Sequence, residues 1–174
     1  RSSHLPVVGN ECSGFLMKGR GRVGRGLGFE VMGGQRGPEW KMSQAVIDGH
    51  QETLEAGAES CRKVLKAGGT MGLGGDYGFA WTPHGTYAKE LTFFVNYVGF
   101  SVLDTIKCVT LGGAKIMGRS HELGTLEKGK LADVLVVDGD VMKDISILED
   151  KNNLLAVMQG GIVKAGRLVA PQTL

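Results

Sequence analysis

The sequence predicts an α/β protein that is built from two structural units. A long amphipathic helix is followed directly by a short apolar segment, and this order is typical of parallel sheets and barrels. From about residue 122 the helical pattern gives way to short β segments separated by glycine turns. Helices with one buried strand, followed by small antiparallel strands, indicate two units rather than one.

The composition is typical of a soluble globular protein. Of the 174 residues, 42% are hydrophobic and 22% are charged, and the formal net charge is +2. This charge is too close to neutral to indicate nucleic acid or a membrane surface as a partner. No apolar run approaches the ~18 residues of a membrane helix. The three cysteines are widely spaced and form no disulfide or zinc pattern, so we expect a reducing, cytoplasmic location.

Residues 1–41 differ from the rest of the chain, with ten glycines and with seven Lys or Arg against three Glu. A formal GxGxxG lies at Gly19, Gly21 and Gly24. The preceding GFLMK is too short for the strand that a dinucleotide loop needs, and the following RGLGFEVMGG is too rich in glycine for a helix. We therefore interpret residues 1–41 as an atypical or poorly ordered segment, rather than a dinucleotide loop or an RNA-binding segment.

The longest predicted helix begins at Ser43. Apolar residues recur at spacings of three and four as far as Leu65, opposite charged residues, which predicts about six helical turns. Ala67-Gly68-Gly69 ends this helix, because glycine readily leaves a helix in a left-handed conformation. His50 lies on the apolar stripe, which favours a packing histidine over a metal ligand.

The next segment, TMGLGG, predicts a short buried strand, and Asp76 follows its end. In parallel sheets and barrels the chemistry lies at the carboxyl ends of the strands. A carboxylate among glycines at such an end is therefore a candidate functional residue.

Two further helices follow this strand. A helical stripe runs from Tyr87 to Val98 and is closed by Gly99. Ser101-Val-Leu-Asp104 has the form of a capping box and opens the next helix. We interpret the aromatic residues near the first helix as core rather than as a ligand-stacking cluster. These aromatic residues are Phe93, Phe94, Tyr97 and Phe100, and the predicted apolar face of the second helix carries Leu103, Ile106, Val109 and Ala114.

The last third of the chain predicts β structure. A β run from Ala132 to Val137 ends at Asp138-Gly139. The segment LLAVMQGGIVKAG reads as two β segments joined through Gly160-Gly161, which is a hairpin.

Four stretches of the chain occur in the order and at about the spacing of one known family. They are GLGGDYGFAWTPHGTYAKEL, GFSVLDTIKCVTLGGAKIMG, ELGTLEKGKLADVLVVDGD and DISILEDKNNLLAVMQGGIVKAG. From about residue 44 to the end, the chain thus resembles the C-terminal part of the metal-dependent amidohydrolase superfamily. The resemblance is to its imidazolonepropionase-like and prolidase-like branch.

The resemblance implies a (β/α)8 TIM barrel with a small β-sandwich assembled from both chain ends. Residues 42–120 would form the C-terminal end of the barrel, with TMGLGG as its eighth strand, and residues 121–174 would supply strands of the composite sandwich. Such a partial barrel leaves both edges of its last strand unpaired. Aggregation or a homo-oligomer is then expected.

The resemblance also implies a hydrolase that cleaves C–N bonds in amides, peptides or cyclic amides with a metal-activated water. Asp76 matches the aspartate that binds the metal and accepts a proton. The cofactor would be a divalent metal, with zinc expected, as one or two ions in the complete enzyme. The partner would be a small amide or dipeptide, with neither nucleic acid nor membrane.

Three neighbours of Asp76 are candidate substrate contacts, because the corresponding loop borders the pocket in similar sequences. They are Tyr77, Trp81 and His84. For His84, turn formation by Pro83-His84-Gly85 is an equal alternative.

The remaining ligands of the family are a His-x-His pair, a lysine or glutamate, and two further histidines. The chain has only His4, His50, His84 and His121, with no such pair. Zinc needs three or four protein ligands, so we expect the chain alone to bind metal weakly and to be inactive. Two hypotheses remain. The chain is a fragment of a hydrolase, or it is a non-catalytic remnant or interaction module that lacks the metal site.

Overall fold

The computed structural model describes residues 22–75 and 77–168. They form a two-stranded parallel sheet with helices packed against it, followed by a three-stranded antiparallel sheet. The predicted α/β class is confirmed. The strands are β1 Arg22–Arg25, β2 Thr70–Leu73, β3 Val134–Val137, β4 Leu154–Gln159 and β5 Ile162–Ala165. The α-helices are α1 Gly28–Arg36, α2 Gln44–Lys66, α3 Lys89–Phe93, α4 Val102–Lys107 and α5 Gly113–Ile116.

Several shorter helical turns complete these elements. Phe94–Val98 continues α3 as a π-helix, and Cys108–Gly112 joins α4 to α5 in the same way. Short 3-10 helices lie at Gly37–Trp40, Ile145–Glu149 and Lys151–Asn153.

Strands β1 and β2 pair in parallel, with Val23 opposite Met71. Helices α1 and α2 form the connection between them, so both strands point the same way and their carboxyl ends share one edge. The expectation that β2 has two unpaired edges is therefore wrong, because β1 occupies one of them. Met71 is buried in the core, and a Cβ on the next residue, Gly72, would lie 2.6 Å from the Ile116 side chain of α5.

Helix α1 corrects the interpretation of the Gly/Arg-rich segment. We expected RGLGFEVMGG to be too rich in glycine for a helix, but α1 begins within it. A glycine inside a helix costs about 1 kcal/mol relative to alanine, and tertiary packing offsets this cost here. Val31 is 2% exposed, and Gly33 lies against His50, where a Cβ would be 2.7 Å from ring atoms.

The described part of the GxGxxG pattern, residues 22–24, does not form a phosphate-binding loop. Gly24 lies inside β1, while Gly19 and Gly21 lie outside the described residues. The described part of the Gly/Arg-rich segment is thus a strand and a helix of the parallel unit.

Helix α2 confirms the long amphipathic helix. Leu54, Ala58 and Cys61 lie on the predicted apolar stripe and are buried. The helix ends as predicted, since Gly68 has a left-handed φ of 70°.

The hydrophobic core lies between α2, β2 and the helical segment that begins with α3. Phe94 is fully buried and Phe100 is 5% exposed, which confirms that these aromatic residues belong to the core. Phe93 packs against the core from its edge, whereas Tyr97 is at the surface with 37% exposure. The buried cluster comprises Leu27, Val31, Leu54, Ala58, Cys61, Val64, Met71, Phe94, Val98, Phe100 and Cys108.

The capping box at the start of α4 is present in modified form. Ser101 Oγ accepts a hydrogen bond from the Asp104 backbone N–H at 3.1 Å. The Asp104 carboxylate accepts from the Ser101 hydroxyl at 2.7 Å. The full box has a longer glutamate that reaches back to a backbone N–H instead.

The predicted apolar face of this helical region is partly wrong. Leu103 is 46% exposed and Val109 is 37% exposed, whereas Cys108 and Gly112 are buried. The buried face carries small residues because it lies against the backbone of β2. A Cβ on Gly112 would lie 1.9 Å from the Met71 carbonyl oxygen.

The second unit is the antiparallel sheet β3-β4-β5. The predicted hairpin is confirmed, with β4 and β5 joined through Gly160 and Gly161, which have left-handed φ values of 56° and 82°. Its strands present apolar side chains to solvent, with Leu135 54% and Ile162 60% exposed. Among the helices of the described residues, none combines the length and the apolar character needed to cross a bilayer.

Candidate functional site

The segments that follow β1 and β2 touch at the carboxyl edge of the sheet. The Gly74 backbone N–H donates to the Arg25 carbonyl at 3.0 Å. A Cβ on Gly26 would lie only 2.0 Å from the Gly74 carbonyl oxygen, so the two chains approach this closely because a glycine is present. Asp76, the predicted metal ligand, comes two residues later and lies outside the described residues.

A buried carboxyl group lies close to these strand ends. Glu90, in the first turn of α3, is 3% exposed. Its Oε2 accepts from the Gly28 backbone N–H at 3.0 Å, and its Oε1 accepts from the Leu27 N–H. These N–H groups belong to the start of α1, where backbone donors have no partner within the helix. Glu90 therefore caps a helix that begins more than 60 residues earlier in the chain.

Tyr77 connects Glu90 to the loop that follows β2. Its hydroxyl lies 3.3 Å from Glu90 Oε2 and 3.4 Å from the Tyr87 carbonyl oxygen. The Tyr77 ring meets the Tyr87 ring edge-on at 4.7 Å. Burial, together with the nearby Glu90, raises the pKa of Tyr77 well above its ordinary value of 10, so Tyr77 stays a neutral hydroxyl.

Opposing effects set the pKa of Glu90. Burial raises it most strongly, and the nearby Glu30 raises it further. The N–H groups of Leu27 and Gly28 and the Tyr77 hydroxyl favour the ionised form and lower it. The resulting pKa is about 7, against an ordinary 4.5. When Glu90 is protonated, its O–H can donate to the Tyr77 oxygen while the Tyr77 hydroxyl turns to the Tyr87 carbonyl.

His84 lies exposed at the far side of this loop. Its Nδ1 is 3.0 Å from the Tyr87 hydroxyl. The Thr86 hydroxyl donates to the Pro83 carbonyl at 2.8 Å, a contact typical of a turn. His84 thus takes part in a turn and also reaches Tyr87, which links it indirectly to Tyr77.

Trp81 belongs to an aromatic cluster at the same edge. Its indole ring stacks on Phe79 at 5.9 Å and lies 5.3 Å from Phe29 and 6.5 Å from His50. The indole Nε1 is buried and has no hydrogen-bond partner among the described residues. His50 is therefore a packing residue of this cluster, in agreement with its place on the apolar stripe.

Tyr77 and Trp81 border a cavity of about 60 Å³ between α1, the loop after β2, and α3. Thr86, Lys89 and Phe93 lie around it. The cavity is large enough for a water molecule and too small for a whole dipeptide. The structure thus brings two of the predicted contact residues to one cavity.

Sequence reasoning missed Glu90. The sequence shows only one glutamate near the start of a short helix, where an exposed carboxylate would be unremarkable. Its donors at Leu27 and Gly28 are 63 and 62 residues away, and no local pattern connects them.

The described residues do not by themselves fit a metal ion. Within residues 22–75 and 77–168, no group of three or more His, Cys, Asp or Glu side chains could hold one. Asp76 and His4 fall outside these ranges.

The sequence profile of the Amidohydrolase family matches residues 41–163. The chain belongs to the amidohydrolase family. The match covers the loop with Tyr77, Trp81 and His84, the capping box of α4, and the antiparallel sheet as far as the first half of β5. The family resemblance of the sequence is therefore confirmed.

Two curated relatives illustrate how much of a complete protein this chain corresponds to. Ochratoxinase from Aspergillus niger is 29% identical over 133 residues, which are 76% of this chain and 25% of ochratoxinase. Imidazolonepropionase from Thermoanaerobacter pseudethanolicus is 30% identical over 93 residues, which are 53% of this chain and 22% of that protein. The matched part of this chain thus corresponds to about a quarter of the length of these relatives.

Solved structures of similar proteins show the same fold. The crystal structure of A. niger ochratoxinase superposes with a TM-score of 0.77 and 22% identity, covering 97% of this chain and 37% of ochratoxinase. The structure of a Xaa-Pro dipeptidase with bound methionine in its active site superposes with a TM-score of 0.72 and 24% identity. It covers 91% of this chain and 38% of the dipeptidase. This amidohydrolase chain therefore has the fold of part of such proteins.

Proposed function

We propose that this chain is the C-terminal part of a metal-dependent amidohydrolase that hydrolyses a C–N bond in a small amide, dipeptide or cyclic amide. The observation that carries the proposal is that the family match spans β2 and the following Asp76. Strand β2 runs parallel to β1, and the segments after both strands meet at one edge. Chemistry in α/β barrels lies at this edge.

The proposed fold is a partial barrel, in which β2 is the last strand and β1 the strand before it. The remaining strands would then lie outside these 174 residues. Residues 42–120 would close the barrel, and residues 121–174 would join a composite β-sandwich. The apolar side chains exposed on β3 and β5 support this, because additional strands would cover them.

The proposed active-site residue is Asp76, as a ligand of a divalent metal, zinc being expected, and as a proton acceptor. Tyr77, Trp81 and His84 are proposed substrate contacts. Support for Tyr77 and Trp81 comes from the cavity that both residues border in the loop after Asp76. The described residues supply no metal site of their own, so the other ligands would come from elsewhere in the complete protein.

The first test is the coding sequence upstream of Arg1. The proposal expects an open frame that encodes a His-x-His pair about 250 to 300 residues earlier, as barrel size suggests. A start codon directly before Arg1 would instead support a non-catalytic interaction module.

The second test compares the complete protein with this chain on a panel of N-acyl amino acids, dipeptides and cyclic imides. We expect the complete protein to turn over at least one class and D76N to lose about 100-fold or more in kcat. The exposed D48N on α2 is the matched control and should stay within about twofold. This chain alone should bind less than stoichiometric zinc and show no turnover. Stoichiometric tight zinc with turnover by this chain, or full activity of D76N, would refute the proposal.

A further inference from the structure

Glu90 holds together segments that are far apart in sequence. Its carboxyl group, on α3, contacts the start of α1 through Leu27 and Gly28, and it contacts the loop after β2 through Tyr77. These contacts lie near the carboxyl ends of β1 and β2. A single buried side chain thus ties the two strand-following segments to each other.

The position requires two acceptor oxygens. Leu27, the N-cap residue of α1, makes no side-chain cap hydrogen bond, so the first N–H groups of this helix depend on Glu90. One oxygen serves Leu27 and the other serves Gly28. A glutamine would place its NH2 group against one of these N–H donors and leave that donor without an acceptor.

The backbone around this contact is adapted to close approach. A Cβ on Gly28 would lie 2.8 Å from Glu90 Oε2. A Cβ on Gly75 would lie 2.1 Å from the Tyr77 ring, so this ring packs directly over the backbone of Gly75. Gly75 and Tyr77 are the chain neighbours of Asp76, and they are therefore held against each other and, through the Tyr77 hydroxyl, against Glu90.

We propose that Glu90 is a positioning residue of the amidohydrolase site, which fixes the chain on both sides of Asp76 by binding Tyr77 and the start of α1 at once. The role in catalysis rests on the function proposed for Asp76. The contacts of Glu90 with Leu27, Gly28 and Tyr77, here called the clamp, do not depend on that function, since all of them lie within this chain.

Hydrogen exchange measured by mass spectrometry on this chain tests the clamp directly. In E90Q we expect exchange to rise roughly tenfold or more in peptides covering 27–36 and 77–83. Y77F, which removes a single hydroxyl, should raise exchange in 77–83 alone. E52Q on the exposed face of α2 is the matched control and should change neither region.

Peptides covering β4 and β5 serve as an internal reference. If E90Q also raises their exchange, the variant has destabilised the whole chain, and the milder Y77F then decides. An exchange rate in 77–83 that stays within twofold of wild type in Y77F and in E90Q overturns the clamp.

Activity of the complete enzyme tests the positioning role. With the chain around Asp76 loosened, kcat should fall about tenfold or more in E90Q, and this fall should exceed any rise in KM from loosened contacts of Tyr77 and Trp81. Suppose that wild type is active and D76N is inactive. Full kcat in E90Q would then overturn the positioning role of Glu90, while the proposed function would still hold. An inactive wild type would overturn the proposed function, and the exchange result would still decide the clamp.

Discussion

The Tyr77 hydroxyl lies 3.3 Å from Glu90 Oε2, which joins a buried carboxyl on α3 to the residue that follows Asp76 in the chain. Burial disfavours the ionised carboxylate, whereas the N–H groups at the start of α1 stabilise it. Burial is the stronger effect and raises the pKa to about 7, so the protonated and ionised forms are about equally populated at neutral pH. The contact should therefore respond to pH in a range where exposed carboxylates do not titrate.

The first prediction concerns this pH response. The pKa of Glu90 is about 7 in the folded chain and 4.5 ordinarily, so the folded state binds more protons between these values. Stability should therefore fall as pH rises from 4.5 to 7, by roughly 3 kcal/mol from this group. Urea unfolding at pH 5 and pH 8 measures the loss. Glu30 and Tyr77, the ionisable groups that act on Glu90, are present in the protein at both pH values.

The pH prediction is checked by comparing variants. E90Q cannot titrate and should lose this contribution to the pH slope, whereas E52Q should keep it. Equal slopes in wild type and E90Q would show that folding does not raise the pKa of Glu90.

The second prediction concerns the contact between the strand-following segments. In G26A the new Cβ would meet the Gly74 carbonyl oxygen at 2.0 Å and the Gly75 Cα at 2.6 Å. Both are backbone atoms, so the chain must shift, and the free energy of unfolding should fall by roughly 1–3 kcal/mol. G24A in β1 is the matched control, since nothing lies within 4 Å of its Cβ. An equal effect of both substitutions on the urea midpoint would contradict the close approach.

The third prediction concerns helix capping. Ser101 caps α4 through its side chain, whereas Ser43 stands at the start of α2 without a side-chain cap. S101A should lower the free energy of unfolding by about 1 kcal/mol, and S43A should have little effect. Thermal unfolding of the two variants side by side is the measurement, and a larger loss in S43A would be evidence against the cap.

The fourth prediction concerns the core. Phe94, in the π-helix that continues α3, is fully buried in the core, whereas Phe79 is 44% exposed. F94A should cost roughly 3–5 kcal/mol through lost burial and the remaining cavity. F79A should lower the free energy of unfolding clearly less, because much of the Phe79 ring is already exposed to solvent. Chemical denaturation monitored by circular dichroism distinguishes them, and similar costs would place Phe94 outside the core.

Local patterns in the sequence predicted the elements that depend on neighbouring residues. Apolar spacing and the glycines after Leu65 were sufficient for α2, and Ser101 with Asp104 was sufficient for the start of α4. The hairpin between β4 and β5 followed from Gly160-Gly161. In each case the signal lies within a few residues, and the interaction it predicts is equally local.

The family, too, was accessible from the sequence, because the order and spacing of its motifs survive at about 30% identity. The structure of the Gly/Arg-rich segment was not accessible in this way. Composition argued against a helix at Gly28–Arg36, whereas packing against α2 and capping by Glu90 stabilise that helix.

By itself, then, the sequence determined the α/β class, the family, the long helix and the β hairpin. Only the tertiary structure decided that β1 pairs with β2, that Gly26 must lack a side chain, and that Glu90 is buried beside Tyr77. These features depend on contacts between residues as many as 63 positions apart. A carboxylate that looks solvent-exposed in the sequence is buried here because folding brings its donors to it.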